Sequence, residues 1–141
     1  MTHYSKQEIE SLIERFEKRI LPKVEWTHEA HLAVAIWYVS KYSFNEALNL
    51  VRENITRHNE SVGTPNTDYE GYHETITRFW LMVATRFLSD KNKSDITVNC
   101  NKLIVSEKGI SNYPLLYYNG ITLFSMKARH EWVEPDLKPF H

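Results

Sequence analysis

The sequence predicts an all-α fold, an up-and-down bundle of four main helices with a fifth and short C-terminal helices around it. Three observations carry that expectation. Apolar residues recur at three- and four-residue spacing through most of the 141-residue chain. Only four glycines and five prolines interrupt it. Side chains able to cap helices stand just ahead of the apolar runs.

Ser5 is placed to cap a first helix reaching to about Ile20, with Ile9, Ile13, Phe16 and Ile20 on one face and Pro22 as its stop. Thr27 caps a second helix to about Lys41, where His28, His31, Leu32, Ala35 and Val39 share a face. Ser43 caps the third, whose stripe is Ala47, Leu48, Val51, Ile55 and His58, with Gly63 beyond its end. Between Ser61 and Gly71 lies a polar loop rich in turn formers (Gly63, Pro65, Asn66, Asp68). A fourth helix is expected from about Tyr69 to Ser89, with Tyr72, His73, Ile76, Trp80, Val83 and Phe87 as its stripe. Ser94 or Asp95 starts a fifth, which Gly109 stops. Shorter pieces follow around Tyr113–Tyr118 and Ser125–Trp132, and the ending WVEPDLKPF reads as an extended tail over the surface.

Length and composition point to one domain with its own core, spanning residues 1–141. A formal net charge of −1 offers no basic field for nucleic acid, and no apolar run approaches the length of a membrane span. Cys100 is the single cysteine, so an intrachain disulfide is excluded and the thiol reads as structural. The opening MTHYSKQEIESLIERF is charged and lacks the apolar run of a signal peptide, which makes the expected location cytoplasmic. P-loop, GxGxxG, GxSxG and CxxC patterns are all missing.

The chemistry-bearing feature is a set of histidines. The second and third helices are joined by roughly two residues, and the third and fourth by about ten, so consecutive helices run antiparallel. His28 and His31, His58, and His73 then converge at one end of the bundle, under the Ser61–Gly71 loop. Imidazole is the commonest protein ligand for transition metals, and three leave a coordination position open for water or substrate. His28, His31 and His73, with His58 beside them, are therefore candidate ligands for a divalent zinc, iron, manganese or nickel ion. His73 and the adjacent Glu74 are the candidate catalytic pair. Glu74 projects about 100° from His73 on a helix; its alternative roles are an added metal ligand, a hydrogen-bond partner behind a ligand, or a pair with Arg78 one turn on. Trp26, Asn59, Asn66, Tyr72, Thr77 and Arg78 are candidates to contact a substrate, although turn formation is the simpler role for Asn66. Against all of this stands the plain alternative that the histidines are hydrogen-bonded core residues.

The strings WTHEAHLAVA, RHNESVG, NTDYEGYHETITRFWL and WVEPDLKP together resemble a family of small uncharacterised bacterial all-helical proteins. Its signatures are W-T-H-x-A-H-L, G-Y-H-E-T-x-T and a C-terminal P-D-L. The resemblance spans Trp26 to Pro139 and marks Trp26, Thr27, His28, His31, Tyr72, His73, Glu74, Thr75, Thr77, Pro135 and Asp136, leaving His58 outside. It implies no reaction.

Two functions follow as expectations. The first is a small metal-dependent enzyme, a hydrolase, lyase or oxygenase, acting on a small polar substrate at the histidine-lined pocket. The second is a non-catalytic small-molecule binding or sensor domain using the same pocket. Phe79 and Met82, off the main face of the fourth helix, leave room for a contact with a second copy and hence for a homodimer.

Overall fold

The computed structural model describes residues 4–140. They form seven α-helices: α1 Lys6–Glu17, α2 His28–Lys41, α3 Phe44–Ser61, α4 Glu74–Phe87, α5 Ile96–Val105, α6 Gly120–Leu123 and α7 Met126–His130. No strand occurs among the described residues, and the all-α bundle expected from periodicity is the fold.

Helix α2 is the axis of the bundle, packing against α1, α3, α4 and α5. Its apolar residues are not confined to the single stripe expected. Ala30, Leu32, Ala33, Val34, Ala35, Ile36, Tyr38 and Val39 are all buried, which requires neighbours on every side. The alanines among them let neighbouring helices approach closely. Thr27 and Ser43 cap α2 and α3 as expected, accepting hydrogen bonds from the backbone N–H groups of Ala30 and Glu46.

Helix α5 ends at Val105, short of the Gly109 expected to stop it, and two other boundaries differ with clear cause. Helix α1 ends at Glu17 rather than near Ile20, because Arg19 turns into the left-handed region (φ 59°). The backbone N–H groups of Arg19 and Ile20 donate back to the carbonyls of Phe16 and Arg15, the two bonds of a Schellman motif. Ile20 is consequently exposed. Helix α4 starts at Glu74 rather than Tyr69. Gly71 sits at φ 85°, and the Asn66 side-chain carbonyl accepts the Tyr72 N–H at 2.9 Å, so the chain cannot enter the helix earlier. Tyr72 and His73 precede α4 instead of belonging to its stripe.

The far face of α4 is covered by the chain's own C-terminal segment. Phe79 is fully buried, its ring centroid 5.0 Å from Phe140 and 5.5 Å from Tyr117. This removes Phe79 from any contact with a second copy. Thr75 Oγ1 donates to the Glu131 carbonyl and accepts from the Val133 N–H. Asp136 accepts from the Asn119 N–H and the Thr122 hydroxyl, pinning the tail to the start of α6. Cys100 is buried, and desolvation pushes its thiol up to about 12, as expected of a structural cysteine. Among the described residues no helix is long and apolar enough to cross a membrane.

Candidate functional site

The antiparallel arrangement does bring the start of α2, the end of α3 and the approach to α4 to one end of the bundle. Trp26 marks the meeting point. Its indole stacks on Phe16 at 4.7 Å, lies 3.8 Å from the His31 ring and meets the edge of His58 at 5.3 Å. His31 and His73 line one cleft at this end.

Each of the four histidines, however, is committed to a different backbone carbonyl. A carbonyl only accepts, so the bonded ring nitrogen must carry the proton. His28 donates from Nε2 to Gly109 at 2.8 Å, and His58 from Nε2 to Leu21 at 2.9 Å. His31 donates from Nδ1 to Thr27 at 2.6 Å. His73 donates from Nε2 to Leu123 at 2.8 Å while its Nδ1 accepts the Ile76 N–H at 3.1 Å. Both nitrogens of His73 are thus in use, and no lone pair is left for a metal or a proton transfer. Among the described residues no three His, Cys, Asp or Glu side chains are grouped so as to share an ion. The expected ligand set of His28, His31, His58 and His73 shares an end of the bundle but is not gathered into one coordination sphere, and its donors do not fit a three-histidine centre.

Of the two histidines that line this cleft, His31 is the one that keeps a ring nitrogen unengaged. Burial lowers its pKa to about 4, only partly offset by the bond to the Thr27 carbonyl, with the neighbouring His28 and His58 adding to the shift. The ring is neutral at pH 7, its proton is on Nδ1, and Nε2 presents a bare lone pair. His31 lies on a wall between two adjoining spaces. One is a polar mouth of about 420 Å³ bordered by Lys23, Asn59, Thr64, Tyr72 and Gly71. The other is a narrow apolar slot of about 50 Å³ reaching between α2, α3 and α4 to Val34, Ala35, Val51, Trp80 and Leu81. Trp26, His31, Ile55, Ile76 and Thr77 border both.

Tyr72 divides this mouth from a second cleft of about 560 Å³. There Glu74 is gripped by Arg52 from α3 through two bonds of 2.9 and 2.7 Å, and the Tyr72 hydroxyl donates to the same carboxylate at 2.7 Å. Burial pushes the Glu74 pKa up, but the Arg52 and Tyr72 hydrogen bonds and the charges of Arg52 and Arg78 outweigh it, leaving the carboxyl below its usual range. An ionised, triply bonded carboxylate is poorly suited to giving or taking a proton at neutral pH. The expected one-turn partner of Glu74, Arg78, stands instead against Trp132, its guanidinium 4.7 Å from the ring centroid.

Asn59 and Asn66 form part of the loop. Asn59 donates to the Asn66 side-chain carbonyl at 3.0 Å, and Asn66 donates to the Thr56 carbonyl at 3.1 Å. Their hydrogen bonds hold the Ser61–Gly71 loop against α3. All six residues expected to contact a substrate border one of these two clefts. Arg52, Arg129 and Trp132 also line the second cleft and were not anticipated. Arg52 follows Val51 on the flank of the α3 stripe and offered a faint signal. Trp132 is too distant in sequence for periodicity to relate it to Arg78.

No known family model, curated protein or solved structure matches this chain. Function has to be read from the residues themselves.

Proposed function

We propose that this protein is a small-molecule-binding domain whose ligand enters the mouth beside Trp26 and His31. The observation that carries this reading is the state of His31. A neutral imidazole, packed against an indole and donating from Nδ1 to Thr27, keeps an unshared acceptor on a residue that borders both a polar opening and an apolar slot. A polar mouth over an apolar recess is the usual build of a small-ligand site. The ligand that suits it has an apolar ring or short chain for the slot and a hydrogen-bond donor for His31 Nε2. The Thr77 hydroxyl borders the same opening and adds a further polar group. Binding of this kind asks for no proton transfer, which agrees with the low pKa of His31 and the full engagement of His73.

Phenol carries both parts and is the probe of choice. Titration into the purified protein, followed by the Trp26 indole signal and the His31 ring nitrogens in NMR spectra, is expected to shift both sets. His31→Phe keeps a ring against Trp26 and removes the acceptor, so it should abolish the effect while leaving the fold intact. Failure of phenol to perturb either residue would sink this reading. Elemental analysis of the same tag-free protein covers the other expectation: a stoichiometric transition metal, lost in His31→Phe, would establish a metal site at His31 and favour the metal-dependent reading instead.

A further inference from the structure

We infer that the second cleft is a separate binding site for a small oxyanion, a carboxylate or phosphate group seated on Arg78. It lies across Tyr72 from the mouth at His31 and stands or falls independently of that site.

Charge and hydrogen bonding in the cleft are unevenly matched. Of its three arginines, Arg52 is neutralised by the two-bond pair with Glu74. Arg129 donates from one terminal nitrogen to the carbonyls of Gly71 and Tyr72, which carry no charge. Arg78 makes no hydrogen bond or ion pair among the described residues, and its Nε is buried without an acceptor. The acids nearby are otherwise engaged or peripheral. Asp68 is bonded to His130, Glu134 accepts from the Trp132 indole N–H, and the exposed Glu131 sits at the rim.

A desolvated guanidinium N–H with nothing to donate to is a costly and uncommon feature of a folded protein. Its seat over the Trp132 ring holds the guanidinium in place but supplies no acceptor. An anion in the cleft would supply the acceptors that this guanidinium lacks. A planar fork of parallel N–H donors is matched by the two oxygens of a carboxylate or phosphate. Arg129, lining the same cleft with a charge that backbone carbonyls do not cancel, adds a second attraction. The space, about 560 Å³, accommodates a metabolite-sized anion rather than a bare ion alone.

Isothermal titration of the intact chain at low salt, with inorganic phosphate and separately with benzoate, tests the assignment. One equivalent of at least one of them is expected to bind, and the anion that does identifies which chemistry the site takes. Arg78→Met should weaken binding by at least about tenfold. Arg78→Lys, which keeps the charge and the fold but loses the fork, should fall between the two. Arg57→Met, on the exposed side of α3, should bind like the wild type. Absence of binding by both anions would overturn the proposal. So would equal weakening by Arg57→Met and Arg78→Met, because that is the mark of diffuse surface charge. If Arg78→Met fails to fold, Arg78→Lys alone decides: affinity equal to wild type rejects Arg78 as the seat.

Discussion

His73 and Leu123, fifty residues apart, are joined by a single hydrogen bond from imidazole Nε2 to the backbone carbonyl, 2.8 Å long. The same ring caps α4 through Nδ1. One side chain therefore both starts α4 and fastens the end of α6 to it. This dual bonding fixes the tautomer and makes His73 a structural residue.

Replacement of His73 separates its two roles. His73→Ala loses cap and tether together and is expected to destabilise the protein by about 2–4 kcal/mol. His73→Asn retains a side-chain oxygen able to cap Ile76, because Asn is a strong N-cap, and is expected to lose roughly half as much. Urea unfolding of the three proteins measures both. Equal stability of His73→Ala and wild type would contradict the structural role.

Acid sensitivity should centre on His31. Its folded pKa of about 4 lies below the unfolded value near 6.5, so the unfolded chain binds the proton more readily. The stabilisation is fully present above pH 6.5 and is lost as the pH falls from 6.5 toward 4. The half-buried position of the ring moderates the loss to about 2 kcal/mol. His73, held below its ordinary pKa chiefly by burial, acts in the same direction, since protonation of Nδ1 also removes the cap. In His31→Phe the decline between pH 6.5 and 4 should be visibly shallower, as followed by thermal unfolding across that range. An unchanged pH profile would mean that His31 is not the titrating group.

Much of this arrangement is readable from local sequence. Thr27 and Ser43 stand directly before apolar runs, and so the starts of α2 and α3 follow from capping alone. Short connections then force His31, His58 and the His73 approach to one end. What local reasoning misses is set by partners distant in the chain. The tautomers depend on the carbonyls of Leu21, Gly109 and Leu123, none of which periodicity relates to a histidine. The start of α4 depends on Asn66 claiming the Tyr72 N–H, and the neighbour of Arg78 is a tryptophan in the tail. Histidine also ranks low among expected caps, which hid the role of His73 behind the more familiar one of ligand.

The loop that borders both clefts rests on Gly71. At φ 85° a side chain is already disfavoured, and a Cβ there would fall 2.4 Å from the Pro65 carbonyl oxygen and 2.6 Å from Asn66 Oδ1. Gly71→Ala must therefore push apart the amide that holds Tyr72 and is expected to lose about 2–4 kcal/mol. Gly63 provides the control. Its φ of 78° is similar, yet a Cβ there would meet nothing within 4 Å. Gly63→Ala should lose only about 1 kcal/mol, the backbone component alone. Comparable losses in the two variants, measured by chemical denaturation, would show that the packing against Asn66 is not tight.

The end of α1 offers a change in the opposite direction. Arg19 occupies the left-handed position of a Schellman motif, where glycine is the favoured residue and a Cβ is strained. Its guanidinium reaches only the Glu17 carbonyl at the exposed helix end, so little side-chain interaction is lost on its removal. Glycine also gains freedom in the unfolded chain, which subtracts from the benefit. The relief of strain is the larger effect, and Arg19→Gly is expected to stabilise the protein by about 0.5–1 kcal/mol. A rise in the denaturation midpoint with an unchanged slope would register it as native-state stability. A fall would mean that the Arg19 side chain contributes more at this corner than its one backbone contact accounts for.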